Sequence, residues 1–309
     1  MVESHLVVVD VGGTTLSAAC VDPRSGRVGS VHERPSSESE SSQEILAALV
    51  DMLMVAVERC SQTSGAVVCM PAPFDYVEGT SRMRHKFADL YDVPLGPVVS
   101  EAIGLAPLFV NDADAAAVGV WRDLGALPGA MGVVTLGTGV GTSFLRDGVP
   151  HEPVTGNELW CTPYEDGIFE DYVSAASLRD AYEAAGGPAM DVQSIAKRGQ
   201  DGDPKAIMAF RRFGQHLGRG VAAHYGDLDV ARVVFSGKIS RSWVLFGTDA
   251  QAAFVAAGGT ADLSASTLEN PALLGGATIG GRGFDVGNRL WTPDSSSTAV
   301  NANIDRRVQ

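Results

Sequence analysis

At 309 residues the chain is too long for one small core and fits two domains of ordinary size, with a globular balance of 45% hydrophobic and 19% charged residues. Its net charge of -14, from 23 Lys and Arg against 37 Asp and Glu, argues against a non-specific nucleic-acid surface, because such binding runs on phosphate neutralisation. The four cysteines, Cys20, Cys60, Cys69 and Cys161, form no C-x-x-C pair; that argues against a zinc knuckle and a disulfide framework, and for core thiols in a reducing, cytoplasmic setting. The opening MVESHL lacks a basic region followed by an apolar leader, and no apolar stretch reaches membrane-spanning length, so a soluble, unexported protein is expected.

Taken in order, Leu6, Val7, Val8 and Val9 suit a strand buried on both faces, and Asp10 stands at its mouth. Gly12 and Gly13 permit the positive φ and close backbone approach of an anion-cradling turn, and Thr14 and Thr15 add hydroxyl donors. A plain hairpin would use the same glycines. Residues 16–21 read as a second strand, 22–26 as a turn and 27–33 as a third strand. A polar loop ends in a capping box, Ser41 with Glu44, and opens a helix to Cys60 with Leu46, Leu49, Leu53 and Val57 on one face. Residues 66–70 are the next strand, running into the irregular Pro71, Ala72, Pro73.

Arg82, Arg84, His85 and Lys86 form the only dense basic cluster, either a solvated face or a contact for a phosphate or polyphosphate tail. A short strand ends at Val110, and Asn111, Asp112, Ala113 and Asp114 start a helix, with Asn111 or Asp112 near the cap and Gly125 suited to end it. Asp112 is either a structural cap or a base: the helix N-terminus should keep its carboxylate ionised, and an ionised carboxylate accepts a hydroxyl proton. Asn111 beside it supplies an amide suited to a hydroxyl-bearing ligand.

The opening pattern then returns: strand 132–136, the turn Gly137, Thr138, Gly139, Val140, Gly141, strand 142–145, and the hairpin turn Asp147-Gly148. This is an internal repeat of two related α/β domains, each presenting a phosphate turn. The turn is not a dinucleotide fingerprint, since β-formers follow it in place of a helix, and no G-x-x-x-x-G-K-[ST] exists. Glu158 and Glu170 follow; either is ordinarily a surface residue, but with Asn111 and Asp112 they make a polar lining for a polyol. Asp203-Pro204 opens a helix with Ile207, Phe210, Phe213 and Leu217 on one side, and strand 232–235 delivers a third glycine turn, Ser236, Gly237, Lys238. Asn270-Pro271 caps a last helix, and from about residue 285 the chain reads as a frayed tail. His5, His32, His151, His216 and His224 carry no assignment.

With LVVVDVGGTT, FVNDADAAAVG, VVTLGTGVG, GNELW, EDYVSAASL, VVFSGKIS and ENPALLGGA in this order, the chain resembles the ROK family of sugar kinases over most of residues 5–283. The resemblance implies two ribonuclease-H-like (actin/hexokinase-type) α/β domains flanking a nucleotide and sugar cleft. They would span 1–114, 115–284 with the adenosine site, and a tail 285–309, the last helix being free to pack back on the first domain. It implies that Asp112 is the base on the acceptor hydroxyl and that Asn111, Glu158 and Glu170 are sugar ligands. Asp10, Gly12, Gly13, Thr14, Thr138 and Gly139 would contact phosphate and magnesium, the ion meeting Asp10 through water, and Gly237 would close on adenosine. ATP and Mg2+ are the implied cofactors, a hexose the implied partner, and a homodimer is suggested.

The chain departs from the family where most members carry a histidine and a cysteine-rich zinc site: GNELWCTPYEDGIFEDY holds one cysteine and no histidine. No structural zinc is expected; Trp160, Pro163 and Tyr164 would pack this loop, and specificity for glucose over an aminosugar or cyclitol is open. The first strand opens the chain with no helix-turn-helix before it, which disfavours a DNA-binding regulator and leaves a non-catalytic sugar sensor as the rival class.

Overall fold

Val7, Val8 and Val9 are fully buried in the strand His5–Val11 (β1), as a run of β-branched residues without polar alternation requires of a central strand. The computed structural model describes residues 5–37, 39–84, 86–151, 158–226 and 228–282; the tail expected from 285 lies outside them. β1 pairs antiparallel with Thr15–Val21 (β2), which pairs antiparallel with His32–Pro35 (β3). On its other side β1 runs parallel to Thr63–Met70 (β4), and β4 runs parallel to Pro107–Asn111 (β5). The sheet order is therefore β3-β2-β1-β4-β5.

The third strand, expected from residue 27, starts at His32. Before it only Val28 bridges to Val21, through Gly29 N donating to Cys20 O at 2.8 Å and Asp22 N donating to Arg27 O at 3.0 Å. Helix α1, Ser42–Glu58, opens on the expected capping box of Ser41 and Glu44. Its buried face is Ile45, Ala48, Leu49, Met52, Leu53 and Ala56, with Leu46 and Val57 at the margin, so the stripe is rotated slightly from the expected one.

The second sheet repeats the plan. Ala130–Leu136 (β6) pairs antiparallel with Val140–Arg146 (β7), β7 with Val149–His151 (β8), and β6 runs parallel to Arg232–Ser236 (β9), which runs parallel to Asp262–Ala265 (β10). The order β8-β7-β6-β9-β10 and the strand senses match the first sheet. β1 and β6 even share one burial pattern, half-buried only at the first residue and at the residue before the last, which is Asp10 in one and Thr135 in the other. Asp147 and Gly148 both take positive φ, as a two-residue hairpin turn of this kind demands.

The remaining helices are Leu95–Ile103 (α2), Asp112–Asp123 (α3), Ala175–Ala184 (α4), Val192–Gln200 (α5), Pro204–Tyr225 (α6), Trp243–Ala256 (α7) and Pro271–Gly281 (α8). α6 opens on Asp203 as N-cap with Pro204 in its first turn. The chain divides into two compact units, one of residues up to 115 together with 272–282, the other of 116–271. Within the first unit α8 lies against the sheet, where Gly276 meets Val8 and Cys69.

One expectation is overturned. Cys20, at the end of β2, and Cys60, just past α1, are joined in a disulfide with Cα atoms 5.6 Å apart, while Cys69 and Cys161 are free. Their separation of 40 residues carries no local motif; α1 packing back across β1 and β2 brings them together. Cys20→Ser should lower stability by up to about 4 kcal/mol, the chain-entropy figure for a loop of this order. Urea unfolding measures the loss, and alkylation of the denatured parent chain without reductant should label two thiols, Cys69 and Cys161.

Candidate active site

In the first unit the sequence-singled residues meet at the carboxyl ends of three adjacent parallel strands, the edge where open α/β sheets bind ligands. Asp10 of β1 is in register with Cys69 of β4, Cys69 with Val110 of β5, and Met70 with Asn111, the residue before Asp112. Burial, then the nearby carboxylates of Asp10 and Asp112, push the Cys69 thiol well above its usual range. The two carboxylates therefore share one neighbourhood.

Asp112 is half-buried as the first residue of α3, and its Oδ1 accepts from Ala113 N at 2.8 Å. Burial raises its carboxyl above the ordinary aspartate value, against the opposing pull of the Lys86 charge and the Ala113 N–H. Desolvation outweighs the N–H groups at the helix start, which pull the other way. Asn111 is the helix cap. Its Oδ1 accepts from Asp114 N at 2.9 Å, and its Nδ2 donates to the Tyr76 hydroxyl at 3.0 Å, which in turn donates to Met70 O at 3.1 Å. An amide nitrogen carries a second hydrogen, so a ligand contact is compatible with the cap.

The first glycine turn is closed by Gly12 N donating to Thr15 O at 3.1 Å and tied down by Ser36 N donating to Thr14 O at 3.0 Å. Neither Gly12 nor Gly13 takes positive φ, so handedness is not why glycine stands here; a Cβ on Gly12 would lie 2.9 Å from Thr15 O. Thr14 is exposed at the tip. Of the basic cluster, Arg82 pairs with Asp92, Arg84 lies 3.9 Å over the Tyr91 ring, and His85 is outside the described residues. Lys86 is the member whose charge reaches Asp112.

In the second unit the turn after β6 is closed by Gly137 N donating to Gly139 O at 3.0 Å, and Gly141 N donates to Thr135 Oγ1 at 3.1 Å. Thr138 is exposed, as Thr14 is in the first unit. Gly237, at φ 94°, packs so tightly on the end of β6 that a Cβ would overlap Leu136 O. Beside it the Ser236 hydroxyl is buried with no protein partner among the described residues, a donor suited to a ligand or water.

Glu158 and Glu170 both act on one thiol: burial first, then the Glu158 carboxylate, with Glu170 adding to it, push Cys161 up to about 11. Glu158 precedes the short turn Leu159–Cys161, and its carbonyl accepts from Thr162 Oγ1 at 3.1 Å; Gly156 and Asn157 lie outside the described residues. Glu170 is also bound to the glycine turn, its Oε2 accepting from Val140 N at 2.7 Å. The intervening hairpin is packed by aromatic rings. Tyr164 makes edge contacts with Phe169, Tyr172 and His216, its hydroxyl is 3.0 Å from His216 Nδ1, and Arg219 Nε donates to it at 3.1 Å. Trp160 packs on the same core, whereas Pro163 is exposed. Among the described residues no three His, Cys, Asp or Glu side chains gather as a metal would need.

Sequence reasoning missed Thr135 and Tyr76, and it singled out Lys86 only as part of the basic cluster. Thr135 was findable, because laying 132–141 over 7–16, which matches Gly137 to Gly12, puts it on Asp10. Tyr76 reaches Asn111 by tertiary packing and carries no local signal, and nothing in the basic cluster marks Lys86 as the member whose charge reaches Asp112.

Two sheets of one order, each with a glycine turn after its central strand, define the actin/hexokinase-like fold. The ROK family model matches residues 6–249, and the chain belongs to the ROK family. A glucokinase of Thermotoga maritima is 26% identical over 90% of this chain and 98% of its own length. An N-acetylmannosamine kinase of Salmonella arizonae is 28% identical over 75% of this chain and 82% of its own. Among solved structures, a ROK glucokinase from Streptomyces griseus in complex with glucose and AMPPNP superposes with a TM-score of 0.76 at 23% identity, covering 91% of this chain and all of that one.

Proposed function

We propose that this sugar kinase of the ROK family moves the γ-phosphoryl group of ATP onto a hydroxyl of a hexose or hexose-like sugar. The observation that carries the reading is Asp112, a half-buried carboxylate with a raised pKa at the end of β5, beside a capped Asn111 and in the neighbourhood of Asp10. Asp112 takes the acceptor's proton as the oxygen–phosphorus bond forms, and Asn111, Glu158 and Glu170 orient the sugar. Thr14 and Thr138, with the amides of Gly13 and Gly139, face the phosphates, Gly12 lets the backbone turn close beside them, and Gly237 sits on the adenosine side. In a loose phosphoryl-transfer transition state charge lies on the equatorial oxygens, so positioning and electrostatics carry most of the rate.

The hard carboxylate oxygens of Asp10, at the mouth of a glycine turn, fit a magnesium ion held directly or through water. Such an ion would neutralise charge on the transferring group. No structural zinc is proposed, because aromatic packing around Tyr164 orders the segment bearing both glutamates. A cytoplasmic setting suits the two substrates.

An acetamido sugar is the second reading, favoured by the N-acetylmannosamine kinase relative. An acceptor panel of glucose, mannose, N-acetylmannosamine, N-acetylglucosamine and inositol in an ADP-release assay decides between them. Release with at least one sugar is expected; no release with any acceptor would overturn the kinase reading in favour of a sensor. Phosphorus NMR with ATP and polyphosphate side by side identifies the donor, for which ATP is expected.

A further inference from the structure

The second glycine turn has three glycines in five residues, so its shape is expensive in entropy unless other parts of the fold impose it. Two bonds to residues 170–175 do so: Glu170 Oε2 accepts from Val140 N at 2.7 Å, and Ala175 N donates to Gly137 O at 3.0 Å. The first is short and charge-assisted, the stronger kind. It is also built for, because a Cβ on Gly139 would overlap Glu170 Oε2.

The carboxylate is delivered rigidly. Glu170 lies in the short turn Phe169–Asp171; Phe169 is fully buried against Gly220 of α6, where a Cβ would overlap its ring, and Phe169 N donates to Thr162 O at 2.9 Å. On the other side Tyr172 N and Val173 N both donate to Phe169 O, at 3.0 and 3.1 Å.

We infer that Glu170 is a positioning residue for the nucleotide: by holding the Val140 amide it keeps the turn at 137–141 in its phosphate-accepting shape, whether or not it also touches the sugar. This rests on the reading of 137–141 as a phosphate turn. It makes a prediction that a pure sugar ligand does not, namely that Glu170 matters for nucleotide binding when no sugar is present.

The test is calorimetric titration of the acceptor-free protein with AMPPNP and magnesium. Glu170→Ala should weaken binding by at least about 5-fold, the worth of one such bond. Glu170→Gln, whose amide oxygen can still accept from Val140 N, should stay within about 3-fold of the parent, and Gly139→Ala should behave as Glu170→Ala does. Amide hydrogen exchange at 137–141 supplies a readout that needs no ligand: protection should fall in Glu170→Ala and persist in Glu170→Gln. Unchanged nucleotide binding and unchanged exchange in Glu170→Ala would overturn the inference alone. Equal weakening by Ala and Gln would overturn it too, since charge and not the bond would then be responsible. Absence of AMPPNP binding in the parent protein would overturn the nucleotide reading and the inference with it.

Discussion

Asp112→Asn is expected to lower turnover by about 100-fold or more, the usual size for a removed general base, with little change in the KM for sugar. Asparagine keeps the shape and can still accept from Ala113 N, the bond that Oδ1 makes at 2.8 Å, so the start of α3 should survive. What it cannot do is take a proton. Stability should move the other way. Burial raises the native carboxyl above its ordinary 3.8, so the native state binds this proton more tightly than the unfolded chain does. Stability from this group therefore falls as pH rises from about that value through the raised one, and the deficit persists at neutral pH. Asparagine removes the deficit, and the urea midpoint at pH 7 should equal or exceed that of the parent. Activity has the opposite dependence: the base must be ionised, so the acid limb of the rate profile should lie above 3.8. Lys86→Met removes the positive charge that opposes burial and should shift that limb to higher pH. Near-normal turnover in Asp112→Asn, measured by ADP release, would show that another group accepts the proton.

What could be read from the chain alone was whatever is written locally. The valine run of β1, the Ser41 and Glu44 box, Asp203-Pro204, and the Asp147-Gly148 turn each state their conformation within a few residues, and each formed as expected. The recurrence of strand, glycine turn and strand was legible for the same reason, and it extends to the matching strand orders of the two sheets. Contacts between distant segments were not legible. Cys20 finds Cys60 only after α1 has crossed the sheet. The cap of Asn111 on Asp114 is local and was expected, but its bond to Tyr76 depends on the loop after β4 returning to the end of β5. Glu170 looked like one more polar lining residue, and its partner Val140 is 30 positions earlier in another element. That burial raises the Asp112 carboxyl was not legible either, because desolvation is set by everything that encloses the group and not by one helical turn.

Gly218→Val should destabilise the second unit by about 3 kcal/mol or more, the upper range for overpacking a closed core. α6 and α7 approach so closely that Gly214 and Gly218 face main chain: a Cβ at Gly214 would lie 2.5 Å from Phe246 O, and one at Gly218 would lie 2.8 Å from Phe254 N and overlap Ala250 O. Main-chain atoms inside a helix cannot swing aside as a side chain would, so the helices must separate. Separation loosens the stacked Phe210 and Phe246 rings, 6.1 Å apart, and the edge contact of Phe213 on Phe246 at 5.3 Å, all three fully or almost fully buried. For a unit of this size the melting temperature should fall by about 6–12 °C. The damage should also reach the candidate site, because Phe169, which carries Glu170, is seated on Gly220 two residues along the same helix. Arg211→Ala is the control on the exposed face of α6: its ion pair to Asp249 at 3.3 Å is solvated, and its loss should cost under about 1 kcal/mol. If Gly218→Val melted no earlier than Arg211→Ala, the close crossing of α6 and α7 would not be what holds this unit together.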